Sequence, residues 1–119
     1  MRVGVSFLLF ILLDSMFIYA NSAMFHSQIL QVQGSPWKLD LLGVLLSYVF
    51  LLGGLYYFIL REHRTVMDAF LLGLVIYGVY ESTNYVAFKK WHLNTVILDT
   101  LWGGILFGTT TYLYNSLTL

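Results

Sequence analysis

The chain has 119 residues, of which 59% are hydrophobic and only 10% are charged, whereas a soluble domain carries about 25% charged residues, so a lipid bilayer is its expected solvent. The formal net charge is zero, which predicts no nucleic-acid partner, because binding phosphate requires clustered lysine and arginine. The absence of cysteine excludes disulfides, thiolate nucleophiles and cysteine-ligated metals.

The first apolar stretch runs from about residue 3 to residue 24, within the length of roughly 17–25 residues that spans a bilayer as a helix. Its start is similar to a signal peptide, with one arginine, an apolar run and small residues near Ala20 and Ala23. Asp14 interrupts the apolar run. We therefore expect a retained helix rather than a cleaved leader.

The segment 25–38 is predicted to be a loop at the membrane surface. It contains the only proline, Pro36, within a Gly-Ser-Pro-Trp run that is typical of a turn leading into a helix. Trp37 and Lys38 suit the headgroup level, where an indole keeps one edge in water and an amine reaches the surface.

Three further apolar stretches predict spanning helices at about residues 39–60, 67–88 and 94–114. The two connections between them are short and charged, so consecutive helices are expected to be antiparallel neighbours. The chain is therefore predicted to be one all-α domain over residues 1–119, a polytopic four-helix transmembrane bundle with up-down-up-down topology. Four spans put both termini on the same side of the membrane. The six basic residues divide equally between the two sides and give no orientation.

Small residues mark the expected contacts between helices. Gly43 and Ser47 stand four residues apart on the second helix, where a neighbouring helix is able to approach closely. On the last helix, Gly104 and Gly108 form a GxxxG pair directly after Gly103. We predict helix packing at these five positions.

Three of the six acidic residues, Asp14, Glu81 and Asp99, fall inside predicted spans. At about 1.5 Å per residue, Glu81 and Asp99 lie roughly 7–10 Å below one membrane surface, and Asp14 about 15 Å below the same surface. Asn84 and Trp102 each lie one helical turn from an acid, so both are expected at the edge of a shared intramembrane polar site. No basic residue lies deep in any span.

Two interpretations of these acids stay open. They either hydrogen-bond between helices and specify packing, or line a wet cavity that binds a cation, a proton or a lipid headgroup. A metal site has little support, because His26, His63 and His92 have no ligand spacing, and no cofactor is predicted. We find no nucleophile elbow, phosphate loop or histidine-rich cluster, and we expect no enzymatic activity.

A pattern in the second half of the chain consists of Tyr80, Glu81, Ser82, Thr83, Asn84, Trp91, Val96, Asp99, Trp102 and Gly103. This pattern, together with Asp14 in the first helix, resembles a family of small predicted four-helix membrane proteins of unknown function. Its members are mostly bacterial, with relatives in large DNA viruses that carry an internal membrane. Glu81 stands where the family has aspartate, and Lys90 where it has glycine. The resemblance implies four helices and a shared acidic site, and names no reaction.

The favoured function is therefore a structural or assembly role in a membrane, with a virion inner membrane as one setting. Because the loops are minimal, partners are expected to contact the chain laterally within the bilayer, as other membrane or capsid proteins or as further copies in a homo-oligomer. The alternative is a subunit of a cation- or proton-coupled transporter or channel that uses Asp14, Glu81 and Asp99. So short a chain would need to oligomerise to enclose a path.

Overall fold

The structure, a computed structural model, describes residues 1–36, 38 and 40–117, and this part contains five α-helices and no strand. The predicted all-α class is therefore confirmed for the described part, while Trp37 and the predicted start of the second helix at residue 39 lie outside it. The helices are α1 (Arg2–Ala20), α2 (Ser22–Gln33), α3 (Leu41–Leu55), α4 (Val66–Ala87) and α5 (Leu93–Ser116), and α3 continues as a π-helical turn, Tyr56–Leu60.

The first helix ends earlier than predicted, at Ala20, and α2 occupies most of the segment that was predicted to be a loop. The chain bends at Asn21, whose side-chain amide donates to the Phe17 carbonyl oxygen at 3.0 Å and so caps the end of α1. α2 ends at Gly34, whose φ of 74° is left-handed, a conformation that glycine adopts without steric cost.

α2 is amphipathic, and its inner face consists of Met24, Phe25, Gln28, Ile29 and Val32, which are half-buried or buried. This spacing is that of one face of a helix lying on an apolar surface. The loop prediction was wrong because the serines and glutamines of the segment outweighed this pattern, which is only 12 residues long and interrupted by a glutamine on its inner face.

Side-chain caps set the starts of α3 and α4. The Asp40 carboxylate accepts from the Leu42 N–H at 3.0 Å and the Gly43 N–H at 3.4 Å. The Thr65 hydroxyl oxygen accepts from the Asp68 N–H at 3.0 Å. These bonds satisfy N–H groups that have no partner within their own helix.

α5 is the central helix and runs antiparallel to α1 and α4. The Arg2 guanidinium lies 4.3 Å from the centre of the Tyr114 ring, while at the other end Phe17 stacks on Trp102 at 4.5 Å. The apolar core surrounds the C-terminal half of α5 and consists of Phe10, Leu55, Ile59, Leu60, Ala69, Leu106, Phe107 and Tyr114.

Glycines set the distance between α4 and α5. A Cβ atom added to Gly73 would lie 2.1 Å from the Gly103 carbonyl oxygen, so the two backbones are in direct contact. A Cβ on Gly104 would lie 2.8 Å from the Phe70 ring, whereas one on Gly108 would have 3.6 Å to the nearest atom. The glycines of α5 therefore pack against α4.

Gly43 lies exposed on α3 instead, and Ser47 lines a groove that α3 forms with α4. The Ser47 hydroxyl donates to the Gly43 carbonyl oxygen of its own helix at 2.9 Å. A Cβ on Gly43 would meet only the Asp40 Cβ, at 3.8 Å. Within the described residues of this chain, no second helix makes the close approach to Gly43 that the spacing predicts.

Three helical segments are long and apolar enough to span a membrane, namely Arg2–Ala20, Leu41–Leu60 and Val66–Ala87. α5, with 24 residues, is longer than any of them but is not in this group. Its polar residues Thr95, Asp99, Thr110 and Thr111 are buried within the bundle. The polar residues that lower the hydropathy of α5 thus lie in the interior of the fold.

Candidate functional site

Asp14 is bonded from two other helices. The Tyr48 hydroxyl on α3 donates to Asp14 Oδ2 at 2.7 Å, and Trp102 Nε1 on α5 donates to Oδ1 at 3.0 Å. Asp14 is buried, and each of its carboxylate oxygens has a donor. Through these two hydrogen bonds Asp14 ties α1, α3 and α5 together.

Glu81, on α4, is bonded by the connection that follows its own helix. It is 1% exposed, and the Trp91 indole N–H donates to its Oε1 at 2.8 Å. Trp91 is buried and lies between α4 and α5. The connection therefore folds back onto α4 and covers Glu81.

Asp99, on α5, has only a carboxyl group as its bonding neighbour. It is 8% exposed, and its side chain lies within hydrogen-bonding reach of Glu81. Among residues 1–36, 38 and 40–117, the donors to buried acids serve Asp14 and Glu81, and none serves Asp99. Two carboxyl groups bond each other only when one of them carries a proton. A proton or another cation at this pair would therefore bridge the two carboxyl groups.

A cavity of about 250 Å³ joins these acids under α2. It is lined by Asp14, Ile18, Phe25, Ile29, Tyr77, Tyr80, Glu81, Trp91 and Asp99. The lining combines acids with aromatic rings and contains no basic residue.

Gln28 fastens α2 over this cavity. Its side-chain oxygen accepts from the His92 N–H at 2.8 Å and from the Thr95 hydroxyl at 3.2 Å, and its amide donates to the Lys90 carbonyl oxygen. His92 is the N-cap residue of α5. Gln28 is 2% exposed, so these bonds are shielded from water. The roof of the cavity and the α4–α5 connection consequently form one unit.

The structure brings three of the predicted site residues together at one cavity and places the other two elsewhere. Glu81 and Asp99 lie side by side, and Asp14 lines the same cavity. Trp102 bonds Asp14 rather than the edge of the Glu81–Asp99 pair. Asn84 is half-buried and is not part of the cavity lining.

Sequence reasoning missed three residues that organise the site, Tyr48, Trp91 and Gln28. Trp91 had a signal, since it belongs to the pattern around Glu81 and Asp99 that carries the family resemblance. Gln28 had another, because it is the one amide on the apolar stripe of α2. Tyr48 had none, since tyrosines are common near membrane surfaces.

The arrangement is suited to binding a proton or a small cation. In the described part of the chain, no group of three or more histidine, aspartate or glutamate residues is placed to hold a metal ion. The three carboxyl groups of the cavity do not converge on one point that would coordinate a metal. Their shared feature is that they line one partly open cavity together with aromatic rings and without a basic residue.

Comparison with known proteins gives one match. A family model described as Predicted membrane protein (DUF2177) matches residues 2–115, nearly the whole chain. This match confirms the resemblance to a family of predicted membrane proteins, and its description names neither an activity nor a virus. No curated protein and no solved structure matches the chain.

Proposed function

Because the chain belongs to the DUF2177 family of predicted membrane proteins, we propose that it is a four-span integral membrane protein without catalytic activity that binds a small cation or a proton in an acidic cavity. The observation that carries the proposal is the Glu81–Asp99 pair. Both residues are buried, both line an open volume, and no basic residue lines that volume with them. A lone buried charge is costly in a membrane interior, so such a pair must acquire a positive partner.

The dimensions and burial of α5 support a fourth span. Its 24 residues correspond to about 36 Å at about 1.5 Å per residue, which exceeds the hydrocarbon thickness of about 30 Å. Its polar side chains are buried in a bundle in which α1 and α4 are its main contacts. A helix shielded by other helices crosses a bilayer without exposing such groups to lipid.

Contacts at both ends support the alternating direction of the helices. Beside Tyr114, Arg2 also reaches the Leu117 carbonyl oxygen at 3.5 Å, so the two ends of the chain are adjacent. A groove between α3 and α4 is lined by Ser47 and Leu51 from α3 and by Ile76 and Tyr80 from α4, so these two helices are neighbours. Both termini then lie on one side of the membrane.

Packing beyond the cavity favours binding over conduction. Phe10, Leu55, Leu106 and Phe107 have no exposed surface and fill the bundle on the far side of the acids. The rings of Phe10 and Phe107 pack edge to face, with their centres 5.5 Å apart. A single copy of the chain offers no route past this layer, so a transporter or channel role requires additional copies or a rearranged bundle.

The structural or assembly role expected from the sequence remains compatible with this proposal. One face of α3 carries Gly43 and Ser47 together with exposed apolar side chains such as Leu46 and Phe50. Lateral contacts with membrane or capsid proteins, or with a second copy, would use this face. A virion setting stays a prediction of the sequence resemblance.

Modification with a hydrophobic carbodiimide tests the acid pair. This reagent attaches to a carboxyl group that carries a proton and is shielded from water. In the purified full chain in liposomes, we expect modification at Glu81 or Asp99, detected by mass spectrometry of peptides. A variant with Glu81→Gln and Asp99→Asn should lose it while keeping its helical circular dichroism.

The exposed cap residue Asp40 provides the matched control, because Asp40→Asn removes an acid outside the cavity. This variant should be modified as the wild type is. A folded wild-type protein that is modified at neither Glu81 nor Asp99 would overturn the proposed function.

A further inference from the structure

We propose that the cavity beneath α2 binds an organic ammonium group, primary or quaternary, with Glu81 and Asp99 as its counter-charge and aromatic rings as its walls. The inference rests on the proposed function, because it names the class of cation that the acidic cavity takes.

The unpartnered acid supplies the first argument. The Asp99 carboxyl group is 8% exposed and lines the cavity beside Glu81, and none of the hydrogen bonds that N–H and hydroxyl groups of the described residues donate to buried acids reaches it. An ammonium group carries the positive charge that this pair lacks. A primary ammonium also offers N–H donors, and a quaternary ammonium offers polarised methyl groups. Its binding would satisfy both carboxyl groups at once.

The aromatic lining distinguishes an organic cation from an inorganic one. Phe25, Tyr77, Tyr80 and Trp91 surround the cavity. Aromatic faces attract ammonium groups by cation–π interaction and contact their carbon atoms, and cages of this kind bind quaternary ammonium ligands. A small inorganic cation instead prefers a shell of oxygen ligands, and no metal-holding group of acids is present in the described residues.

The surroundings of the cavity suit a phospholipid headgroup as well as a free amine. A groove lined by Tyr85, Lys89, His92 and Asn94 shares the Trp91 side chain with the cavity. Lys89 is exposed there, so a phosphate group would find a positive partner next to the acidic cavity. An ethanolamine or choline headgroup presents these two charges at neighbouring positions.

Protection from carbodiimide distinguishes the cations. The full chain would be reconstituted in phosphatidylglycerol vesicles with sodium, potassium, ethanolammonium or tetramethylammonium at equal concentration. We expect at least tenfold slower modification of Glu81 and Asp99 with either ammonium ion, and little change with the alkali ions. In parallel, vesicles of phosphatidylethanolamine or phosphatidylcholine without free amine distinguish a lipid source from a soluble one.

Each outcome decides one of the two claims. Protection by an ammonium ion alone supports a free amine, and protection by the zwitterionic lipids supports a headgroup. Equal protection by sodium and by the ammonium ions would overturn the ammonium inference and leave the cation-binding proposal standing. Modification that no cation and no lipid slows would also overturn the inference, whereas no modification under any condition would overturn the proposed function itself.

An aromatic variant adds a measurement that a purely electrostatic site would not change. Phe25→Leu keeps an apolar roof over the cavity but removes one ring. We expect it to weaken protection by tetramethylammonium roughly three- to tenfold, measured against the modification rate of the same variant without a cation. Phe58→Leu, at an exposed ring outside the cavity, is the matched control, and tetramethylammonium should protect this variant as it protects the wild type. Equal protection of both variants would contradict a contribution of the aromatic walls to binding.

Discussion

At the residue scale, Asp14 and Glu81 show that the hydrogen-bond donors around a buried acid decide whether it joins helices or keeps bonding capacity for a ligand. Both carboxylate oxygens of Asp14 accept hydrogen bonds from other helices, from Tyr48 and from Trp102. Glu81 has one such donor and, on its other side, a second acid. Asp14 is consequently suited to holding helices together, while Glu81 and Asp99 retain unmet bonding capacity that a ligand can use.

The first prediction concerns the bond to Asp14. Tyr48→Phe removes only the hydroxyl donor and should lower the free energy of unfolding by about 0.6–1.7 kcal/mol, the range of interhelical hydrogen bonds in membranes. Unfolding in mixed micelles with increasing denaturing detergent measures this change. Tyr19→Phe, at a ring that is 84% exposed, should have almost no effect. In an Asp14→Ala background the effect of Tyr48→Phe should disappear, and its persistence there would contradict the assignment.

Depth and rotation explain which site residues the sequence could predict. Counting residues from the helix ends placed Asp14, Glu81 and Asp99 in the same half of the bilayer, and all three line one cavity. Counting does not determine how a helix is rotated about its axis. For that reason Trp102, one turn from Asp99, was expected beside it and instead bonds Asp14.

At the scale of elements, α4 and α5 form the closest pair because their backbones touch between Gly73 and Gly103. Hydrophobic attraction between helices is weak in lipid, so this contact depends on packing and on small residues. The sequence showed the glycines of α5. It did not show which glycines on other helices would oppose them, since Gly43 has the same GxxxG-like spacing and lies open.

The second prediction compares two glycines in helix interiors. Gly73→Ala should destabilise the protein by about 1–3 kcal/mol, because the added methyl group forces the α4 and α5 backbones apart. Gly53→Ala should be neutral or stabilising by up to about 1 kcal/mol, because a Cβ there meets nothing within 4 Å and alanine loses less conformational entropy. The detergent unfolding measurement applies to both variants. Equal effects at the two positions would contradict the close contact.

At the scale of the whole molecule, the two ends of the bundle differ in character. One end carries the adjacent chain ends and the ion pairs Arg61–Glu62 and Arg64–Asp68, at 2.9 and 3.0 Å. The other end carries α2 and the cavity beneath it. The long dimension of the molecule is 47 Å, close to the full bilayer thickness of about 40–45 Å including headgroups.

The third prediction concerns the sidedness of these ends. The chain contains no cysteine, so single cysteines give labelling without background. In sealed vesicles of uniform orientation, Glu62→Cys and Ser116→Cys should react from one face with a membrane-impermeant maleimide, and Ser35→Cys from the other. All three positions are exposed. Reaction of Ser116→Cys from the same face as Ser35→Cys would remove α5 from the spanning helices.

The hydrogen bonds of Gln28 to the α4–α5 connection have a consequence for folding during synthesis. Ribosomes synthesise a chain from its N-terminus, so Gln28 emerges more than sixty residues before His92 and Thr95, which it binds. When α4 and α5 pack together, the side chain that bonds their connection is therefore already present. The Lys90 carbonyl oxygen and the His92 N–H then have a partner on an earlier helix and need none from a later part of the chain.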